Sequence, residues 1–164
     1  MGSGKSSVGW RLARRLNMPF FDSDKEVERA AGCSVVEIYE RWGERAFREA
    51  EQKVRRLLKG PAHVLSTGDG SFIEPALRQL ILKQTISIWL KADLQTLHQR
   101  VTNRRTRPQL VEGNSWDILR ELAEERYPIY GQANLCVESQ EEAHERTADR
   151  LIRVLTAYQR DGSF

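Results

Sequence analysis

The string Gly2-Ser3-Gly4-Lys5-Ser6 could bind phosphate groups. It matches the second half of the phosphate-loop pattern G-x-x-x-x-G-K-[ST]. Glycines let the backbone turn successive N–H groups toward phosphate oxygens, the lysine neutralises phosphate charge, and the serine hydroxyl can ligate Mg²⁺. A flexible Gly/Ser segment is the alternative, but an amphipathic helix follows directly. We therefore expect a nucleotide-phosphate site formed by Gly2, Ser3, Gly4, Lys5, Ser6 and Ser7, with Ser6 also binding the metal.

The phosphate-loop pattern is incomplete at its start. Its first glycine would lie before Met1, and so would the strand that leads into such a loop. The loss of a central strand would leave backbone groups of both neighbouring strands unpaired. We therefore expect that the first strand is missing because the start of the sequence is mis-assigned or truncated, and that the fold itself does not dispense with it.

Two carboxylates, Asp22 and Asp24, follow the apolar run Pro19-Phe20-Phe21, which is typical of a short strand. In open α/β folds, ligands bind beyond the carboxyl ends of parallel strands. One carboxylate can hold Mg²⁺ through water while the other orients or deprotonates a substrate hydroxyl, as phosphoryl transfer requires. A helix cap beside a solvated charge is the alternative interpretation of this pair.

Two arginines could bind a substrate carboxylate. Arg48 lies in a charged helical stretch and Arg126 in the motif Glu125-Arg126-Tyr127-Pro128. Guanidinium groups bind carboxylates in bidentate fashion, so two of them could hold an acidic substrate. Each could also be an ordinary solvated helix residue, since spacing alone does not show whether they converge.

A basic stretch with no acidic residue contains Arg100, Arg104, Arg105 and Arg107, next to Pro108. In kinases, a mobile loop can close an arginine over a phosphate and exclude water. An RNA-binding or merely solvated loop is the alternative. No aromatic residues interleave to support nucleic-acid binding, so the stretch favours a lid.

Apolar periodicity predicts alternating strands and helices along the whole chain. Helices are expected over residues 5–16, 24–31, 34–42, 44–59, 75–82, 94–101, 115–126 and 141–158, and strands over 19–22, 63–66, 85–90 and 135–137. Ser23 or Asp24 is the expected cap of the second helix. The alternation favours an α/β fold with a parallel sheet. Because no repeat or linker divides the chain, we expect one domain over residues 1–164.

The composition is that of an ordinary globular protein. Of 164 residues, 40% are hydrophobic and 30% charged, and the net charge of +3 is too small to indicate a nucleic-acid or membrane partner. No segment approaches the ~20 apolar residues that span a bilayer, and the first residues lack the h-region of a signal peptide. Cys33 and Cys136 match no zinc spacing. We expect a cytoplasmic protein with reduced cysteines.

Together these segments resemble the shikimate kinase family. The resemblance extends over nearly the whole chain and rests on ordered motifs, namely Gly-Ser-Gly-Lys-Ser-Ser at 2–7, Phe-Asp-Ser-Asp at 21–24, Phe-Arg-Glu-Ala-Glu at 47–51, Arg-Thr-Arg-Pro-Gln-Leu at 105–110 and Glu-Arg-Tyr-Pro-Ile-Tyr at 125–130. Ser-Thr-Gly-Asp-Gly at 66–70 is a sixth, altered motif. Many unrelated enzymes share a phosphate loop, whereas this ordered set is specific.

The resemblance implies a kinase that uses ATP and Mg²⁺ to phosphorylate the 3-hydroxyl of shikimate, giving shikimate 3-phosphate in the biosynthesis of aromatic amino acids. It implies a three-layer P-loop kinase fold, a five-stranded parallel sheet of order 2-3-1-4-5 flanked by helices. A substrate-binding helical region would cover about residues 23–59, and a lid about residues 102–115. Family members are usually monomeric and cytoplasmic, and the partner implied is a small-molecule substrate.

On the nucleotide side, the resemblance implies that Lys5 and the amides of residues 2–7 bind ATP. Ser6 would ligate Mg²⁺ directly, and Asp22 would reach it through water. Arg107, in the lid, would contact ATP and stabilise the transferring phosphoryl group. Lys5 and Arg107 are thus two of the three residues to which the resemblance gives a catalytic role.

On the substrate side, Asp24 is the third residue to which the resemblance gives a catalytic role. It would orient and deprotonate the attacking hydroxyl. Arg48 and Arg126 would bind the carboxylate of shikimate, together with the turn at Gly68, Asp69 and Gly70. The family has glycine where this chain has Asp69. A negative side chain in a crowded turn predicts weaker shikimate binding than in a triple-glycine relative.

Further differences from the family keep other functions open. Near the last strand, where some members present an arginine to adenine, this chain has Gln140-Glu141-Glu142, so no adenine contact is assigned. One alternative is a related P-loop kinase that acts on another small polyol acid such as gluconate. Another is a nucleotide-binding module with impaired catalysis.

Overall fold

Strands and helices alternate along the chain. In the computed structural model, the residues described are 2–34, 37–38, 41, 43, 52, 54–102, 115–140 and 142–162. The helices are α1 (Lys5–Leu16), α2 (Ser23–Ala31), α3 (Pro75–Gln84), α4 (Leu94–Thr102), α5 (Ser115–Tyr130) and α6 (His144–Arg160), and the strands are β1 (Phe20–Asp22), β2 (Val64–Ser66), β3 (Ile88–Lys91) and β4 (Leu135–Glu138). Residues 54–57 are also helical. Within these ranges, no helix is long and apolar enough to cross a membrane.

The chain divides into two compact units. Met1–Val8 and Ile86–Phe164 form one, and Gly9–Thr85 forms the other. We call the first the phosphate-loop unit and the second, which contains β1 and its carboxylates, the carboxylate unit. The expected lid, at about 102–115, lies almost wholly outside the described residues. The prediction of one domain over residues 1–164 stays a prediction.

Each unit contains a pair of parallel strands. In the carboxylate unit β1 pairs with β2, and Asp22 lies opposite Ser66. In the phosphate-loop unit β3 pairs with β4, and Lys91 lies opposite Glu138. The predicted α/β class with parallel strands is confirmed. The two pairs correspond to the neighbours 2-3 and 4-5 of the expected order, while the five-strand count and the complete order stay predictions.

The core of the carboxylate unit lies against α3. Leu77 and Ile81 are buried and cluster with Val54, and Leu65 of β2 packs on this cluster. Helix α1 approaches the ring of Phe20 in β1 closely at Gly9, where a Cβ would lie 2.9 Å from Cε2 of Phe20. Burial of these apolar groups fixes the end of β1, where the carboxylates follow.

The core of the phosphate-loop unit is formed by α4, α5, α6 and β4. Leu97 and Leu119 are buried on α4 and α5, Val137 on β4 and Leu151 on α6. The register of β3 and β4 is set at their amino ends, where the N–H of Leu135 donates to the carbonyl of Ser87 at 3.0 Å. The candidate site lies at the opposite, carboxyl ends of these two strands.

Three of the boundaries that differ from the predicted ones have a local physical cause. Asp22, and not Ser23 or Asp24, caps α2, and its side chain accepts a hydrogen bond from the N–H of Lys25. The third strand begins at Ile88 because the N–H and hydroxyl of Thr85 both donate to the carbonyl of Ile81 and so close α3.

The third difference is at the end of α5, which was expected to stop at residue 126 and continues to Tyr130 with Pro128 inside it. Proline lacks the N–H that would bond one turn back, so this helix tolerates one missing backbone bond. The adjacent Tyr127 offsets the loss, since its hydroxyl donates to the carbonyl of Ala92 at 2.9 Å.

Candidate active site

The backbone of the phosphate loop bends at two glycines. Gly2 has φ 73° and Gly4 has φ 88°, a region that residues with side chains rarely adopt. There is also little space for a side chain, since a Cβ on Gly2 would lie 3.3 Å from Cγ2 of Val101 and one on Gly4 3.2 Å from Cε1 of His144. Both positions therefore require glycine, as a backbone that encloses a phosphate does.

Helix α1 begins directly after this bend, where the N–H of Val8 donates to the carbonyl of Gly4 at 2.9 Å. The first-turn N–H groups of a helix point beyond its end, and the helix dipole favours an anion there. Lys5 and the exposed Ser6 lie in this turn. The charge of the lysine suits phosphate oxygens, and the hydroxyl oxygen of the serine is the kind of ligand that Mg²⁺ prefers.

Ser139 holds the loop at the carboxyl ends of β3 and β4. Its side chain is 1% exposed, and its hydroxyl donates to the carbonyl of Ser3 at 2.9 Å. Its N–H donates to the carbonyl of Lys91, the last residue of β3, at 2.7 Å. The loop thus lies at the edge of parallel strands where α/β folds bind their ligands.

Arg100 holds the same loop from α4. One terminal nitrogen of its guanidinium donates to the hydroxyl of Ser139 at 3.1 Å and to the carbonyl of Gly2 at 3.3 Å, and the other donates to the carbonyl of Gln140 at 2.7 Å. The sequence grouped Arg100 with the basic stretch of the lid. Its geometry instead gives it a role in fixing the backbone of the phosphate loop.

The helix that carries Arg100 is capped by Asp93. The carboxylate accepts the N–H and the hydroxyl of Thr96, both at 2.7 Å. These hydrogen bonds hold the pKa of Asp93 below its usual range. The cap therefore stabilises the folded protein at any pH above the unfolded pKa of about 3.9, and this contribution is lost as the pH falls through the lower folded-state pKa.

We expect Asp93→Ala to lower the free energy of unfolding by about 1 kcal/mol at pH 7. The difference from wild type should shrink as the pH falls below about 4, because the wild-type carboxyl is then protonated. Urea unfolding at a series of pH values measures both effects. Asp93→Asn is the control, since it keeps an acceptor that does not titrate. A difference between wild type and Asp93→Ala that is the same at all pH values would contradict the assignment.

In the carboxylate unit, the end of β1 presents Asp22 and Asp24 on either side of a buried serine. Asp22 is half-buried and Asp24 is exposed, while Ser23 is 2% exposed. Both carboxylates lie at the start of α2. A substrate hydroxyl can therefore reach Asp24, whereas Ser23 points into the protein.

The ends of β1 and β2 meet at Gly68. Its N–H donates to the hydroxyl of Ser23 at 2.8 Å. A Cβ on Gly68 would overlap Oδ1 of Asp24 and lie 3.2 Å from its Cγ. Asp24 and the first residue of the predicted substrate-binding turn are thus in direct contact. At Asp69 the backbone is not strained, because among the described non-glycine residues a positive φ occurs at Asn17 alone.

The turn after β2 is held by its own backbone and by α3. The N–H of Ile73 donates to the carbonyl of Gly70 at 3.0 Å. One guanidinium nitrogen of Arg78 donates to the carbonyls of Ile73 and Phe72 at 3.1 and 3.3 Å. Arg78 therefore fixes the segment that follows the candidate substrate-binding residues.

Arg126 lies on α5 and is half-buried. Its Nε atom is buried and has no hydrogen-bond partner among the residues that the structure describes. An unsatisfied buried donor is costly, and the planar donors of a guanidinium suit a carboxylate or phosphate ligand. The next residue, Tyr127, anchors the helix at Ala92, and burial raises the pKa of its phenol.

The predicted site residues fall into two groups. The phosphate-loop unit contains residues 2–7 and Arg126, and the carboxylate unit contains Asp22, Asp24 and the turn at 68–70. The predicted lid arginine Arg107 and the substrate-binding Arg48 lie outside the described residues, so their roles stay predictions.

A sequence profile of the family described as shikimate kinase matches residues 1–156 of the chain. This chain belongs to the shikimate kinase family. Two curated shikimate kinases illustrate the relationship. That of Paramagnetospirillum magneticum is 48% identical over 159 residues, which are 96% of this chain and 82% of the relative. That of Cereibacter sphaeroides is 50% identical over 156 residues, which are 94% of this chain and 78% of the relative.

Comparison with a solved structure supports the same family assignment. The shikimate kinase from Acinetobacter baumannii, in complex with shikimate, superposes with a TM-score of 0.89 at 31% sequence identity. The match covers 96% of this chain and 89% of that chain. The resemblance that the ordered motifs indicated is therefore confirmed, and so is the fold class of a P-loop kinase.

Sequence reasoning did not assign site roles to Ser23, Arg100 and Ser139, which hold the shikimate kinase motifs in place. Ser23 and Ser139 each follow the end of a strand, and a small hydroxyl residue at that position is a signal that could have found them. No local signal distinguishes Arg100 from its basic neighbours, because its partners are distant in the sequence.

Proposed function

We propose that this chain transfers the γ-phosphoryl group of ATP to the 3-hydroxyl of shikimate, producing ADP and shikimate 3-phosphate. The observation that carries the proposal is membership of the shikimate kinase family over residues 1–156, with relatives of that name at 48% and 50% identity. The bent loop at residues 2–4 and the carboxylates after β1 are what such a transfer needs.

On the nucleotide side, Lys5 and the N–H groups of residues 2–7 bind the phosphates of ATP. The left-handed glycines of the loop and the hydrogen bonds from Arg100 and Ser139 support this role. Ser6 and Asp22 would hold Mg²⁺, Ser6 directly and Asp22 through water, and the ion would neutralise charge on the phosphates. We also propose that Arg107 contacts the transferring group.

On the substrate side, Asp24 accepts a hydrogen bond from the 3-hydroxyl and takes its proton. The hydroxyl oxygen forms a bond to the γ-phosphorus as the bond from that phosphorus to the bridging oxygen breaks, and ADP leaves with the electron pair. Arg126 and Arg48 bind the shikimate carboxylate, together with the turn at 68–70. The planar donors of the Arg126 guanidinium, whose Nε has no hydrogen-bond partner among the described residues, support its part.

Release of ADP with shikimate, quinate or gluconate as the acceptor tests the proposal. We expect turnover with shikimate to exceed that with the other two acids. Turnover with gluconate alone would overturn the proposal in favour of a related polyol-acid kinase. Nucleotide binding without turnover of any acceptor would instead indicate a nucleotide-binding module.

Asp69 is expected to weaken shikimate binding through its charge. Because its backbone has no left-handed φ, the effect should come from repulsion of the substrate carboxylate, about 1 kcal/mol at an effective dielectric constant of ~20. We expect Asp69→Gly to lower the KM for shikimate about fivefold. Asp69→Asn keeps a side chain of the same size and should recover most of this gain. Steady-state kinetics at saturating ATP measure the change, and an unaltered KM in both variants would contradict it.

We further propose that the enzyme acts as a monomeric single domain in the cytoplasm, without a nucleic-acid or membrane partner. The small net charge of +3 supports the absence of a polyanionic partner. Light scattering at working concentration tests the monomer, since a dimer would double the measured mass.

A further inference from the structure

Ser23 is a buried hydroxyl residue between two exposed or half-exposed carboxylates. It is 2% exposed, whereas Asp24 beside it is exposed and Asp22 half-buried. Its hydroxyl oxygen accepts the N–H of Gly68 at 2.8 Å across 45 residues of sequence. Ser23 therefore connects the end of β1 to the turn that follows β2.

This hydrogen bond uses the N–H of Gly68. The same N–H cannot then donate to the carboxylate of a substrate, so the donors that the turn offers begin at Asp69. Gly68 contributes to the site in another way, because its lack of a side chain leaves room for the carboxylate of Asp24. A side chain there would overlap Oδ1 of Asp24 and lie 3.5 Å from Oδ2.

Gly68 is thus in contact with two residues at the end of β1. Its N–H donates to Ser23, and its Cα packs against the carboxylate of Asp24. If the hydrogen bond were lost, the turn would be free to shift away from β1, and the carboxylate in contact with it would lose its support. The position of the proposed base and the position of the substrate-binding turn are therefore coupled through Ser23.

We propose that Ser23 is a positioning residue for phosphoryl transfer, whose hydroxyl fixes Gly68 and so sets the distance between Asp24 and the turn at 68–70. The inference rests on the proposed shikimate kinase activity. Ser23 itself touches neither the substrate nor the nucleotide in this role. Its effect should appear in the kinetics of shikimate and not in the binding of ATP.

Ser23→Ala removes the acceptor, and we expect kcat/KM for shikimate to fall about tenfold while KM for ATP stays within about twofold. Ser23→Thr keeps the hydroxyl and should restore at least half of the lost activity. Thermal unfolding of both variants shows whether each is folded under the assay conditions.

Ser87→Ala is a matched control. Ser87 is also buried, and its hydroxyl also accepts a backbone N–H, that of Asn134 at 3.0 Å. It lies at the amino end of β3, in the phosphate-loop unit. We expect this variant to lose stability without a selective change in the kinetics of shikimate.

A second measurement reads the hydrogen bond directly. Thr67-Gly68 is the only Thr-Gly dipeptide in the 164 residues. Labelling threonine with ¹³C at the carbonyl and glycine with ¹⁵N therefore isolates the amide of Gly68 in an NMR spectrum. Its hydrogen exchange should be slow in wild type and Ser23→Thr, and at least about tenfold faster in Ser23→Ala.

The two measurements separate this inference from the proposed function. A folded Ser23→Ala variant with wild-type kcat/KM, or one that changes in step with Ser87→Ala, would overturn the positioning role. If Ser23→Ala left the hydrogen exchange of the Gly68 amide unchanged, the hydrogen bond between Gly68 and Ser23 would itself be contradicted. Absence of shikimate turnover in wild type would overturn the proposed function, and the exchange measurement would then decide the contact alone.

Discussion

Replacing Asp24 with asparagine is expected to lower kcat for shikimate about 10²- to 10⁴-fold and to leave ADP binding unchanged. Asp24 is exposed in the first turn of α2, where a carboxylate can take the proton of a substrate hydroxyl. Asparagine has nearly the same shape, but its amide cannot accept a proton at neutral pH. An assay of ADP release at saturating ATP measures kcat, and calorimetric titration with ADP measures nucleotide binding.

Glu26→Gln is the matched control for this change. Glu26 lies in the same first turn of α2 and pairs with Arg29 at 3.0 Å. Its replacement removes one negative charge without touching the proposed base, so kcat should stay within about twofold of wild type. Equal losses of kcat in the two variants would show that the change in net charge causes the effect. Retention of more than about a tenth of kcat in Asp24→Asn would contradict its role as base.

The second large effect is expected at Gly68, where alanine should lower kcat/KM for shikimate about 100-fold. The added methyl group would overlap Oδ1 of Asp24, so the carboxylate must rotate away or the turn must shift. A displacement of about 1 Å in a catalytic group can cost about 10² in rate. KM for ATP should change little, because the proposed nucleotide contacts, made by residues 2–7 and Arg107, do not include Gly68.

Gly60→Ala tests whether any added methyl group in the carboxylate unit has this effect. Gly60 is in the same unit, and a Cβ there would lie 3.3 Å from the carbonyl oxygen of Leu57. Its kinetics should match those of wild type, whatever small change its stability shows. Wild-type kcat/KM in a folded Gly68→Ala enzyme would show that the contact with Asp24 does not matter for catalysis.

Local signals were enough to predict several elements correctly. The bounds of α1 agree with the prediction because they depend on neighbouring residues. Asn17 has φ 53°, and the N–H of Met18 donates to the carbonyl of Ala13, a common way to end a helix. The start of β3 was predicted too early, since the strand preference of Thr85 does not reveal that it bonds back to Ile81.

The candidate site was predictable as a set of motifs and not as a set of contacts. The loop at residues 2–7 and the pair Asp22 and Asp24 carry their chemistry in adjacent residues, so spacing identifies them. The hydrogen bond from Gly68 to Ser23 joins residues 45 apart, and the one from Arg100 to Gly2 joins residues 98 apart. Such pairs depend on how the helices and strands pack, which local periodicity does not specify.

The support that Ser139 gives to the phosphate loop has a consequence for the order of folding during synthesis. Its hydroxyl holds the carbonyl of Ser3, which a ribosome has made 136 residues earlier. Contacts between such distant residues form late, because the entropy of closing a long loop must be overcome first. The nascent chain therefore carries the proposed phosphate-binding residues without this support until Ser139 has been synthesised, so the proposed nucleotide site is completed only after β4 has been made.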